Sequence, residues 1–157
     1  MNHLSPHCQE LIEQFRKYRP QMEKLEQLVN DQLCTVIRNQ GIELNSIEHR
    51  VKTEQSLIGK LERKGDKYQN LEDITDLVGL RIITFYTDDV DKVAAIMKRQ
   101  FVIDWDNSVD KRKLHELTSF GYNSIHFICH LKEGPLSGIP FEIQVRTALQ
   151  HVWSAIE

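Results

Sequence analysis

Two short segments near the C-terminal end, Ser124–Leu131 and Phe141–Arg146, alternate with a period of two, and that period admits few folds. Tyr122, Ser124, His126 and His130 fall on one side of the first; Ile125, Phe127, Cys129 and Leu131 fall on the other. In the second, Glu142, Gln144 and Arg146 oppose Phe141, Ile143 and Val145. Successive side chains of a β-strand point to opposite faces, so the two segments read as strands with one face in a core. Gly134, Pro135, Gly138 and Pro140 make the connection between them rich in turn formers. The polar face shows an aromatic ring, hydroxyls, imidazoles, a carboxylate, an amide and a guanidinium. Solubility asks for no more than Thr, Lys and Glu there, which makes this face a candidate binding surface. The alternative is a wet sheet face with cross-strand pairs.

The rest of the chain supplies partners for those strands. Leu11, Phe15, Tyr18, Met22, Leu25, Val29, Leu33 and Val36 recur at steps of three and four and predict helix over the first forty residues. Pro20 should kink or split that helix, and Gly41 should close it. The stripe is expected to pack on the rest of the domain; a coiled-coil partner, and with it a homo-oligomer, is the alternative. Ser46–Lys52 alternates as a short strand, with Ile47, His49 and Val51 opposite Glu48, Arg50 and Lys52. Thr53 can cap a helix that runs to about Lys64 and ends at Gly65. Asn70 and Asp73 suggest a capped helix over Leu71–Val78, followed by a strand over Leu80–Tyr86. Asp88–Gln100 reads as an amphipathic helix, Phe101–Trp105 as a strand and Asp106–Phe120 as a loop. Thr147 can cap a last helix carrying Leu149, Val152, Trp153 and Ile156. This order predicts an α/β (α+β) domain with a mixed sheet of about five strands flanked by helices.

At 157 residues the chain is one ordinary domain, with a globular balance of 40% hydrophobic and 27% charged residues. A net charge of −3 gives no global basic field for nucleic acid. Cys8, Cys34 and Cys129 lack paired or metal-ligand spacing, which fits a reducing, cytoplasmic setting. No long apolar run marks a secretory signal or a membrane span. No stop signal precedes Glu157, so the C-terminal end is expected to be truncated.

Three polar constellations stand out. In R-V-K-x-x-x-S-x-x-x-K-x-x-R-K, Arg50 and Lys52 point the same way on a strand. Ser56, Lys60 and Lys64 share a helix face, with Arg63 three residues beyond Lys60. Several fixed cations with a hydroxyl near a helix N-terminus suit a polyphosphate; the alternative is an exposed basic face. In D-I-T-D-L-V-G-L-R, the helix dipole accounts for Asp73 but not for Asp76. Asp76 stands where a strand begins, a place that suits Mg²⁺, which takes one or two carboxylates plus substrate phosphates. Arg81 can serve a phosphate or an acid. The third constellation is the polar strand face already described.

Together these residues resemble the synthetase domain of the RelA/SpoT family, over roughly Ser46 to Glu157. R-V-K-x-x-x-S-x-x-x-K-x-x-R-K resembles its ATP segment and D-L-V-G-L-R its magnesium motif. G-Y-N-S-I-H resembles its acceptor loop, and E-I-Q-V-R-T-x-x-Q-H-V-W its closing strand and helix. The resemblance implies a nucleotidyltransferase-like fold over residues 46–157 behind a helical segment over residues 1–45. It also implies transfer of the β,γ-pyrophosphate of ATP to the 3′-hydroxyl of GDP or GTP, making ppGpp or pppGpp. By the same resemblance Asp76 and Glu142 are catalytic and hold Mg²⁺. Arg50, Lys52, Ser56, Lys60, Arg63 and Lys64 bind ATP, and Tyr122, Ser124, His126, Gln144 and Arg146 serve the acceptor. Lys111, Arg112 and Lys113 stand where many members carry other residues, which leaves acceptor choice open. A toxin-like relative acting on the 3′ end of tRNA, and a non-catalytic nucleotide-binding module, are the alternatives.

Overall fold

The computed structural model describes residues 4–112 and 124–156. Helix α1 (Pro6–Asn39) opens the chain, its first turn capped by Ser5, whose Oγ accepts from the Cys8 amide at 3.1 Å. Of the kink or split expected at Pro20, the split does not occur: α1 continues through it. Pro20 faces solvent, while nine side chains of α1, among them Phe15, Met22, Leu25 and Val29, are buried on the opposite side. Each such burial contributes about 1.5–3 kcal/mol, so together they outweigh the roughly 3 kcal/mol that an interior proline costs. Tyr18, expected in the stripe, is 43% exposed. Gly41 follows with φ +73°, a conformation that favours glycine.

Strand β1 (Leu44–Val51) and helix α2 (Glu54–Lys64) come next, and Thr53 Oγ1 accepts from the Ser56 amide as expected of a cap. Gly65 follows α2 and opens a 3₁₀ turn, Gly65–Lys67, and a Cβ there would lie 2.5 Å from Cys8 Sγ, so the close approach of α1 asks for glycine. The helix expected over Leu71–Val78 is a single 3₁₀ turn, Leu71–Asp73. Asp73 Oδ2 accepts from the amides of Gln69 and Asn70, both at 3.0 Å, and so caps that turn. Beyond it, Ile74 and Leu77 are both buried, and the Leu77 carbonyl accepts from the Lys52 amide at 2.7 Å. That bond extends strand pairing where a helix was anticipated.

Strand β2 (Val78–Thr84), helix α3 (Thr87–Gln100) and the two-residue strands β3 (Val102–Ile103) and β4 (Val109–Asp110) follow. Strand β5 (Ile125–His130), strand β6 (Phe141–Thr147) and helix α4 (Ala148–Ile156) close the chain. Among the described residues the sheet has six strands, in the order β1-β2-β6-β5-β3 with β4 also paired to β5. The sixth is β4, which lies in a stretch read from sequence as loop. β2 and β6 run parallel and the other pairs antiparallel, so the sheet is mixed as predicted.

Helices α1 and α3 pack on one face of the sheet, against β1, β2 and β6, and Leu80, Ile82, Phe141, Ile143 and Val145 share one buried core with Phe127 and Cys129 of β5. The opposite face carries the alternate residues of the same strands. At the junction of β6 and α4, Thr147 Oγ1 accepts from the Gln150 amide, and Gln150 Oε1 accepts from the Thr147 amide. This reciprocal cap starts the helix without a loop. Among the described residues, no helix is long and apolar enough to cross a membrane.

Candidate active site

Strand register lines up the polar residues in rows across the sheet. Glu48 pairs with Arg81, Arg81 with Gln144 and Gln144 with His126, from β1 through β2 and β6 to β5. One step along, Arg50 pairs with Gly79, and Gly79 with Glu142. The glycine leaves a gap between a guanidinium and a carboxylate, and a Cβ placed there would have nothing within 4 Å. Around that gap lies a cleft of about 290 Å³ bordered by Glu48, Arg50, Asp76, Gly79, Arg81, Glu142 and Gln144.

Asp76 sits in the turn just before β2, half-buried and bound by two ammonium groups. Lys60 Nζ from α2 lies 2.8 Å from Oδ1, and Lys52 Nζ lies 3.2 Å from Oδ2. Burial pushes the Asp76 carboxyl up, but the Lys60 hydrogen bond and the charges of Lys60 and Lys52 leave it below its ordinary value. Glu142 Oε1 accepts from Gln144 Nε2 at 2.8 Å. Two carboxylates in one cleft, with room beside them for substrate oxygens, are a donor set that fits Mg²⁺.

Farther along the face, Ser124 Oγ and His126 Nε2 are 2.8 Å apart. Burial pushes the His126 imidazole down to about 4, helped by the charges of Lys111, Arg146 and Arg81. His126 is therefore neutral at pH 7 and faces cations. Arg146 is buried, and that burial together with the charge of Arg81 lowers its pKa, while Glu48 acts against this. Glu48 pairs with Arg81 at 3.6 Å and with His151 of α4 at 3.2 Å. Arg112 is bound by Asp110 at 2.9 Å and Asp91 at 3.0 Å, which fixes the stretch that presents Lys111.

The expected site residues thus fall into groups. Arg50, Asp76, Glu142 and Gln144 meet at the cleft, and Lys52 and Lys60 join them through Asp76. Ser124, His126 and Arg146 continue the same face. Ser56 lies in the first turn of α2, with its amide bound to Thr53, and does not border the cleft. Arg63 and Lys64 border a different cavity of about 460 Å³, with Ser5, Cys8 and Lys67. Tyr122 and Lys113 lie outside the described residues.

Glu48, Gly79 and His151 were not singled out as site residues. Glu48 shares a strand face with Arg50 and was legible from alternation alone. Gly79 and His151 depend on register and on the direction of α4, which carry no local signal.

Because the gap at Gly79 is open, Gly79→Val should leave the fold at least as stable, since a β-branched residue suits a strand. Its side chain would fill the cleft, and binding of a non-hydrolysable ATP analogue should weaken at least about tenfold. Thermal unfolding and calorimetry on the same sample check both halves; unchanged analogue affinity would place the nucleotide elsewhere.

Residues 49–157 match the family described as "Region found in RelA / SpoT proteins". The chain is 31% identical over 114 residues to the GTP pyrophosphokinase YjbM of Bacillus subtilis (strain 168), covering 69% of this chain and 52% of that protein. It spans about half the length of the curated relatives it matches. Among solved structures, small alarmone synthetase 2 from Bacillus subtilis superimposes with a TM-score of 0.74 at 23% identity, over 90% of this chain and 77% of that one. Small alarmone synthetase 1 from the same organism, bound to its product pppGpp, superimposes with a TM-score of 0.67 at 25% identity, over 90% and 76%.

Proposed function

The chain belongs to the RelA/SpoT family, and from that premise we propose that its cleft transfers pyrophosphate from ATP to GDP or GTP. The 3′-hydroxyl oxygen of the acceptor attacks the β-phosphorus of ATP, the bond between that phosphorus and the α,β-bridging oxygen breaks, and AMP leaves. The products are ppGpp or pppGpp. The relative whose structure holds pppGpp supports a guanosine acceptor.

The observation that carries this reading is the convergence of Asp76, Glu142 and Arg50 on one cleft, with Lys52 and Lys60 on Asp76. A neutral hydroxyl is a weak nucleophile, so Glu142 would take its proton as a base or would serve as a ligand of the metal. Asp76 and Glu142 would hold Mg²⁺, which supplies Lewis-acid stabilisation of the phosphoryl oxygens. Arg50, Lys52 and Lys60 offset the charge that builds on the transferred group and on AMP. His126 and Gln144 orient the acceptor, while Arg81, Arg146 and Lys111 face its phosphates. Ser56, Arg63 and Lys64 would complete the ATP site if α2 shifts on binding, and Tyr122 would stack on the base. We place the protein in the cytoplasm, where its three free cysteines would stay reduced.

An acceptor panel tests the reading. γ-Labelled ATP and Mg²⁺ are offered with GDP, GTP, ATP or tRNA, and label should appear in ppGpp or pppGpp. Label only in tRNA would replace the guanosine acceptor with the 3′ end of that RNA. Binding without any transfer would leave a nucleotide-binding module.

A further inference from the structure

Each oxygen of Asp76 has its own ammonium partner, and one of the two is nearly sealed from water. Lys52 is 8% exposed, and its amide is tied to the carbonyl of Leu77, the residue after Asp76. The Lys52 charge is therefore weakly screened and held beside the carboxylate by backbone. Lys60 reaches the other oxygen from α2. Arg50 and Arg81 border the same cleft, and its other two carboxylates are engaged, Glu142 by Gln144 and Glu48 by Arg81 and His151. A divalent cation arriving alone meets four cationic side chains and three occupied carboxylates. Its repulsion from the cations opposes entry, and no phosphate is present to complete its oxygen shell.

A nucleoside triphosphate changes that balance. Its phosphate oxygens carry more negative charge than one carboxylate and suit ammonium groups at least as well. We propose that Lys52 and Lys60 exchange Asp76 for the phosphates of the nucleotide, so that the cleft accepts a divalent cation only together with a nucleoside triphosphate. The carboxylate released by the lysines is then available to the cation. The same lysines thus serve two partners in turn, and binding of metal and nucleotide is coupled. Such coupling is reciprocal: the factor by which nucleotide tightens metal equals that by which metal tightens nucleotide. This inference rests on the assignment of Asp76 as a metal ligand.

Calorimetry on the whole chain tests it, with Mg²⁺ alone and with a non-hydrolysable ATP analogue in Mg²⁺ or in EDTA. The wild-type chain should bind the analogue at least about tenfold tighter with Mg²⁺ than without. Lys60→Met should bind Mg²⁺ alone at least about tenfold tighter than wild type and should lose affinity for the analogue. Lys60→Arg keeps the charge and should treat Mg²⁺ alone as wild type does, and thermal unfolding reports whether each variant is folded. A folded Lys60→Met with no gain in Mg²⁺ affinity overturns the exchange, as does an analogue affinity indifferent to Mg²⁺. Asp76→Asn separates the two ideas. If Mg²⁺ still tightens the analogue in that variant, the assignment of Asp76 fails; if it no longer does but Lys60→Met gains nothing, the assignment stands and the exchange fails.

Discussion

Glu142→Gln should lower turnover for pyrophosphate transfer by at least about 10²-fold, the loss expected when a general base or a metal-binding carboxylate is removed. The variant is chosen to spare the structure. Glu142 stands on β6 beside Gly79 of β2, and its Oε1 accepts from Gln144 at 2.8 Å. A glutamine in its place has the same shape and still offers an oxygen to Gln144. Thermal unfolding should therefore stay close to wild type while the rate collapses. Turnover within a few fold of wild type would remove Glu142 from the chemistry. A loss confined to KM would make it a binding group only.

Acid should destabilise the chain in a window set by His126. In the folded chain its pKa is pushed down to about 4, by burial first and then by Lys111, Arg146 and Arg81. An unfolded chain carries an ordinary imidazole near 6.5 and binds a proton that the folded state refuses. Stability is thus complete above about pH 6.5 and falls as the pH drops toward 4, by on the order of 2–3 kcal/mol at pH 4.5. The Lys60- and Lys52-bound carboxyl of Asp76, whose pKa is lowered, adds a separate loss only below its ordinary value of 3.8. Urea unfolding at pH 7 and pH 4.5 should show the His126 loss in wild type and a much smaller one in His126→Gln. Equal losses in both proteins would mean that His126 is not held neutral.

Much of the architecture was legible because it is encoded locally. The cap at Thr53, the reciprocal cap at Thr147 and Gln150, and the two alternating strands each depend on residues a few positions apart. Where the reading failed, distant packing decided. Pro20 is tolerated because α1 buries side chains on both sides of it, and residues beyond Asp73 extend because Leu77 bonds to Lys52. The same division runs through the site. Asp76, Glu142 and the lysines stood out by type and spacing, while the roles proposed for them came from the family resemblance. Ser56, Lys60 and Lys64 share a helix face in sequence, yet only Lys60 reaches Asp76, while Lys64 borders another cavity. Helical spacing says which side chains are neighbours and not what lies opposite them. Gly79 became meaningful only once β1, β2 and β6 were in register.

The parallel pairing of β2 with β6 also bears on how the domain can change. Gly79 and Glu142 are neighbours through a backbone ladder that runs on through Arg81 with Gln144 and Ile83 with Arg146. The spacing of these functional groups is thus ruled by peptide geometry, about 4.8 Å between strands, which no side chain sets. Drift among Leu80, Ile82, Ile143 and Val145 on the far side leaves that ruler untouched while the strands stay paired. A domain built this way can wander widely in its core and still hand down the same arrangement of polar groups.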